Sequence, residues 1–77
     1  MEIESRVKKI ILNNVDVAES VLQPDTKLRS DLGATSIDMV EIVASLESEF
    51  DIDIADEEAQ NVRTYGEMLE FVKSKVA

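Results

Sequence analysis

Asp31-Leu32-Gly33-Ala34-Thr35-Ser36-Ile37-Asp38-Met39-Val40-Glu41 passes from a glycine turn into the start of a helix. Thr35 and Asp38 have capping-box spacing, in which the first side chain and the one three residues on each satisfy a free backbone N–H. The apolar period that follows carries the helix to about Phe50. At about 100° per residue, Met39, Val43, Leu46 and Phe50 share one side with Val40 and Ile42 flanking it. Asp38, Glu41, Ser45, Ser48 and Glu49 share the other, with Ile37 and Ala44 at its edge. Ser36 thus stands where loop becomes helix. Two readings stay open for it: a simple N-cap, or a side chain placed where backbone N–H groups and the helix dipole favour a covalently attached phosphate. A hydrolase nucleophile it is not, because the chain has no histidine to activate it and no Gly-x-Ser-x-Gly elbow.

Upstream, periodicity lapses from Val15 to Ala34, and Gln23-Pro24-Asp25-Thr26 and Leu32-Gly33 are turn signals. A connection of roughly 20 residues is long for a compact domain, so it must pack its own apolar residues; Val17, Val21, Leu22, Leu28 and Leu32 are the candidates. Before it, Ile3, Val7, Ile10, Ile11 and Asn14 fall at helical spacing with Arg6, Lys8 and Lys9 on other positions, giving a first amphipathic helix whose basic face can pair with acids elsewhere. Downstream, Ile52 and Ile54 alternate with Asp51 and Asp53 over too few residues for a strand. Asp56 is expected to N-cap a single helical turn through Asn61. Thr64-Tyr65-Gly66-Glu67 again has capping-box spacing and opens a last helix with an apolar stripe of Tyr65, Met68, Leu69, Val72 and Val76. The expectation is an all-α bundle of four helices in up-down order, three longer and a short third, with a long loop between the first two.

Composition narrows the chemistry. The 77 residues suit one domain, 1–77, and hold neither cysteine nor histidine, which removes disulfides, thiolate nucleophiles and the commonest ligands of transition metals. Seventeen acids against eight bases give a net charge of −9. Nucleic acid and anionic membrane surfaces should therefore be repelled, and a basic partner is the natural complement. Nine acids (Asp38, Glu41, Glu47, Glu49, Asp51, Asp53, Asp56, Glu57, Glu58) fall between Asp38 and Glu58 with no base among them, so one stretch carries the whole imbalance. Asp51-x-Asp53-x-Ala55-Asp56 fails as a calcium loop: its fifth, sixth and twelfth positions are Ala55, Asp56 and Val62 where an oxygen ligand, Gly and Glu are needed. No specific metal site is assigned. The chain has no apolar run of the roughly 20 residues that a membrane helix requires and no signal-peptide pattern at its start, so a soluble, cytoplasmic chain is expected, and separately a monomer.

The segment from Asp31 to Glu41 resembles the prosthetic-group attachment motif of acyl carrier proteins. The resemblance extends to Arg6-Val7-Lys8-Lys9-Ile10-Ile11, to Leu46-Glu47-Ser48-Glu49-Phe50 and to Asp56-Glu57-Glu58-Ala59. It implies a 4′-phosphopantetheine arm joined to Ser36 by a phosphodiester, delivered from coenzyme A by a phosphopantetheinyl transferase. The arm's thiol would carry acyl groups as thioesters, and the chain itself would not be an enzyme. The resemblance places basic partner enzymes on Asp38, Glu41, Glu47, Asp53 and Asp56, where Ile37 and Ala44, at the edge of that polar side, offer apolar contacts beside the carboxylates, and it places the acyl chain among Val40, Leu46, Ile54 and Leu69. Thr35 stands where the family usually has Asp, and Ile37 where it usually has Leu. The implied task is delivery within fatty-acid, specialised lipid or polyketide biosynthesis. The alternative is a carrier-like acidic module that binds proteins without ever being modified.

Overall fold

Apolar side chains spaced three and four apart give α1 (Ile3–Asn14) a single buried seam of Val7, Ile10 and Ile11. In the computed structural model, which describes residues 3–77, α1 packs against both α2 (Ser36–Phe50) and α4 (Tyr65–Val76). The short α3 (Asp56–Asn61) completes four α-helices, and the described residues include no β-strand. The expected all-α bundle is therefore found. Met1 and Glu2 of the expected 1–77 unit lie outside the described residues.

The core joins Val7 and Ile11 to Ile42 and Leu46 of α2 and to Tyr65, Met68 and Val72 of α4. α2 is rotated slightly from the sequence expectation. Ile42, placed at the flank, is the most buried residue of the helix at 1 % exposure, while Val40 on the other flank is 67 % exposed. The reason is that α2 is apolar around more of its circumference than α1 covers, so its uncovered apolar side looks elsewhere.

The last turn of α2 holds no base of its own, although carbonyls and partial negative charge gather there. Arg6 reaches across from α1. Its Nη2 donates to the Glu49 backbone carbonyl at 2.9 Å, its Nε donates to the Glu49 carboxylate, and its guanidinium lies 4.7 Å from the Phe50 ring centre. The helix then ends on Asp51 in the left-handed region (φ 55, ψ 53). That conformation favours glycine, and a carboxylate is the wrong charge for this helix end. Asp51→Gly is accordingly expected to stabilise the protein by about 0.5–1 kcal/mol, read as a higher midpoint in urea; a lower midpoint would mean that the Asp51 side chain makes a compensating bond in solution.

Residues 15–35 join α1 to α2 through one 3₁₀ turn, Glu19–Val21. Leu22, Leu28 and Leu32 are buried as expected. Val17 is only partly buried, and Val21, also expected to anchor the loop, is 40 % exposed because it sits on the outer side of the 3₁₀ turn. Its place is taken by Ala34 and by Thr26, whose hydroxyl donates to the Val21 carbonyl (2.7 Å) and accepts from the Gln23 N–H (2.9 Å). A buried hydroxyl satisfied on both sides closes the turn without an orphaned polar atom.

The loop is also stitched to the start of α4. The N–H groups of Leu28, Tyr65 and Gly66 donate to the carbonyls of Arg63, Thr26 and Pro24, each at 2.9 Å, around an isolated antiparallel bridge between Lys27 and Thr64. Thr64 caps α4 with the reciprocal box to Glu67, as its spacing predicts. The Glu67 carboxyl also accepts from the Arg63 N–H, and these backbone hydrogen bonds hold it below the usual carboxylate range. α3 differs from expectation: Asp56 is its first helical residue, and the N-cap position belongs to Ala55, which has no side-chain acceptor. Glu58 offsets that lack by accepting from the Ala55 N–H (3.0 Å), and with Lys75 beside it the Glu58 carboxyl is likewise lowered.

Candidate functional site

Gly33 turns the chain with φ +72, and the Ala34 N–H returns to the Leu28 carbonyl at 3.2 Å, so the loop delivers Thr35 to the helix start in a fixed pose. Thr35 is the N-cap. Its hydroxyl accepts from the Asp38 N–H (3.1 Å), and the Asp38 carboxylate accepts from the Thr35 N–H (3.0 Å). Capping is thereby complete without Ser36, which occupies the first helical position, is exposed, and makes no side-chain hydrogen bond to the described residues. Of the two readings of this serine, the N-cap falls to its neighbour.

Ser36 opens onto a groove of about 940 Å³. Its apolar lining comes from Met39, Val40, Val43 and Ala44 of α2, Ile54 of the following link, Ala59 of α3 and Val62. This is the side of α2 that α1 leaves uncovered. Lys27, Arg29, Arg63, Glu47, Asp56 and Glu67 are the charged residues on its walls. Glu47 has an internal task here, since its carboxylate accepts from the Ile54 N–H at 2.8 Å and ties α2 to the link before α3.

The residues singled out from the sequence separate into four sets. Val40 and Ile54 line the groove, whereas Leu46 is 2 % exposed in the core and Leu69 packs partly buried against that core, both away from the groove lining. Ile37 at 72 % exposure, Glu41 and Ala44 lie open on α2, with Asp53 and Asp56 exposed beyond its end. Asp38 and Glu47 are half-buried and already bonded to backbone N–H groups, so their charge is less free than sequence position suggests. Within the acidic stretch, Glu49 pairs with Arg6 and Glu58 with Lys75; the other seven acids have no ion pair among the described residues. None of them gathers into a group of three able to hold a metal ion among the described residues. No helix of the described residues is long and apolar enough to cross a membrane.

Lys27, Arg29 and Arg63 were not singled out by sequence reading, because Lys27 and Arg63 lie 36 positions apart and are brought together only by the pairing of the loop with the start of α4. Gly66 was missed as well. Its signal was available: a glycine inside the first turn of a helix is costly, and something must require it.

The family model for the phosphopantetheine attachment site matches residues 5–72 of this chain. Among solved structures, the acyl carrier protein from Enterococcus faecalis, described for its high thermal stability, is similar at 33% sequence identity and a TM-score of 0.82 over 95% of this chain and 92% of that one. The chain therefore belongs to the phosphopantetheine-attachment family and has the acyl carrier protein fold. Its prosthetic group is 4′-phosphopantetheine, and its role is that of an acyl carrier.

Proposed function

We propose that Ser36 is the attachment residue and that the chain, working as one domain and a cytoplasmic monomer, delivers acyl groups to partner enzymes of fatty-acid, specialised lipid or polyketide biosynthesis. One observation carries the assignment: Thr35 performs the capping, so the Ser36 hydroxyl is exposed and without a partner at the mouth of a groove. A serine consumed by capping would be a poor acceptor for a transferase. When bound, the arm supplies a thiol on which acyl groups travel as thioesters.

The chain's own residues do the rest. Ile37 and Val40 offer apolar contact beside Glu41 and Ala44, and the carboxylates of Glu41, Asp53 and Asp56 attract basic enzymes. Such exposed charges speed encounter more than they prolong residence, which suits a carrier that must leave. Asp38 and Glu47 add charge to this face while Asp38 holds the start of α2 and Glu47 ties α2 to the link before α3. The groove receives the apolar part of a cargo against Val40, Ile54 and their neighbours. Leu46 and Leu69 act from the core side, by fixing the helices that form the walls.

Incubation with a phosphopantetheinyl transferase and coenzyme A is expected to add one arm to the wild type and none to Ser36→Ala, read by intact mass and by peptide mapping. An arm on the alanine variant, or on Ser30 or Ser45, overturns the assignment. If the protein recovered from its own host is entirely unmodified while the same preparation accepts an arm in vitro, the reading as an unmodified acidic binding module replaces that of a carrier.

A further inference from the structure

Eight side chains of this acidic chain are basic. Arg6, Lys8, Lys73 and Lys75 are in ion pairs. The other four have no ion pair among the described residues, and three of these, Lys27, Arg29 and Arg63, line the one groove that contains Ser36. Three of the four cations without an ion pair, in a molecule of net charge −9, thus line the groove onto which Ser36 opens, beside Ser30.

We propose that Lys27, Arg29 and Arg63 form a basic rim that pairs with the phosphodiester on Ser36 and holds the arm folded over the groove; this rests on Ser36 being the attachment residue. The rim is built, because the Lys27–Thr64 bridge and the Leu28 N–H to Arg63 carbonyl bond fix its two segments together. The Ala34 N–H to Leu28 carbonyl bond fixes the rim two residues before Ser36.

The charges facing the groove leave the rim available. Of its three carboxylates, Glu47 is engaged by the Ile54 N–H and Glu67 by the N–H groups of Arg63 and Thr64, leaving Asp56. Glu67 is held low first by the backbone N–H groups of Arg63 and Thr64, and the Arg63 guanidinium adds to this only through space, with no ion pair joining the two side chains. The helix start alone is a weak host for an anion here. Asp38 places a carboxylate in the same first turn and cancels part of the dipole's attraction. A phosphodiester at Ser36 meets that carboxylate unless cations from outside the helix offset it, and the rim supplies them.

The test compares apo and holo forms of the wild type with those of Arg29→Gln and of the combined Lys27→Gln, Arg29→Gln and Arg63→Gln variant, each holo form first verified by mass as carrying one arm on Ser36. In low salt, modification is expected to raise the wild-type Tm by roughly 3–6 °C, the sum of a few exposed charge pairs. High salt should remove the gain. The gain should shrink in the single variant and vanish in the triple one, and wild-type amide resonances of residues 27–30 and 62–64 should shift on modification. Equal gains in all three proteins, or unmoved amides in those segments, overturn the rim while leaving Ser36 as the attachment residue. An effect that arises only when the arm carries an acyl group ending in a carboxylate also overturns it, in favour of cargo recognition. An arm found elsewhere than on Ser36 overturns both readings.

Discussion

Leu46→Ala should unfold this protein far more easily than Val40→Ala, although both residues were marked from the sequence as lining an acyl pocket. Leu46 is 2 % exposed and packed among the core residues of α1, α2 and α4, so truncating it leaves a cavity and is expected to cost about 2–5 kcal/mol. For a domain of this size that corresponds to a fall in Tm of more than about 10 °C. Val40, 67 % exposed at the groove, should change stability by no more than about 0.5 kcal/mol. It should instead lower the extra stability that a long acyl group confers on the loaded protein, because such a group gains only where it is sheltered. Urea midpoints of apo and acyl-loaded forms check both halves. Equal losses in the two apo variants would mean that α2 rolls in solution and that Val40 shares the core.

The second large effect is expected at Gly66, where two principles predict opposite signs. Helix propensity alone says that alanine in the first turn of α4 should stabilise by up to about 1 kcal/mol. The structure says otherwise: a Cβ at residue 66 would lie 2.7 Å from the Pro24 carbonyl oxygen and 3.2 and 3.3 Å from the Pro24 Cα and carbonyl carbon. All three are backbone atoms, so no side chain can swing aside. The loop must move, and the Gly66 N–H to Pro24 carbonyl bond is stretched or lost. Gly66→Ala is accordingly expected to destabilise by about 2–3 kcal/mol, measured by urea unfolding. A higher midpoint than wild type would show that residues 23–26 yield freely and that the loop is held by its leucines alone.

How far the sequence could be read depended on how local each cause is. Helix limits were legible because Thr35 with Asp38, and Thr64 with Glu67, announce their caps within four residues. The exception was α3, where the cap falls to Ala55 and only the reciprocal half, from Glu58, exists to be recognised. Ser36 was legible as a site from position, but whether it or Thr35 carried the cap needed the hydrogen bonds. Ile42 was placed at the edge of a face whose centre it occupies, because periodicity gives the width of an apolar stripe and the neighbours decide which part is covered. Leu46 and Leu69 were assigned to the groove for a related reason: an apolar residue on α2 or α4 can face a cavity or a core, and the spacing is the same. What could not be read was everything that depends on the loop meeting α4, including the juxtaposition of Lys27, Arg29 and Arg63.

That meeting of loop and last helix has a consequence for how the molecule breathes. Pro24 and Gly66, Thr26 and Tyr65, and Leu28 and Arg63 are joined across some 35–42 residues of intervening chain. Contacts of such long range form only when both partners are in place, so neither the loop nor the first turn of α4 is a separate opening unit. A fluctuation that lifts α4 frees the loop in the same event and takes one wall of the groove with it. The amide hydrogens of Leu28, Tyr65 and Gly66 should then trade for deuterium at a common rate, and the time for which the groove can shelter a cargo is bounded by the lifetime of the last helix.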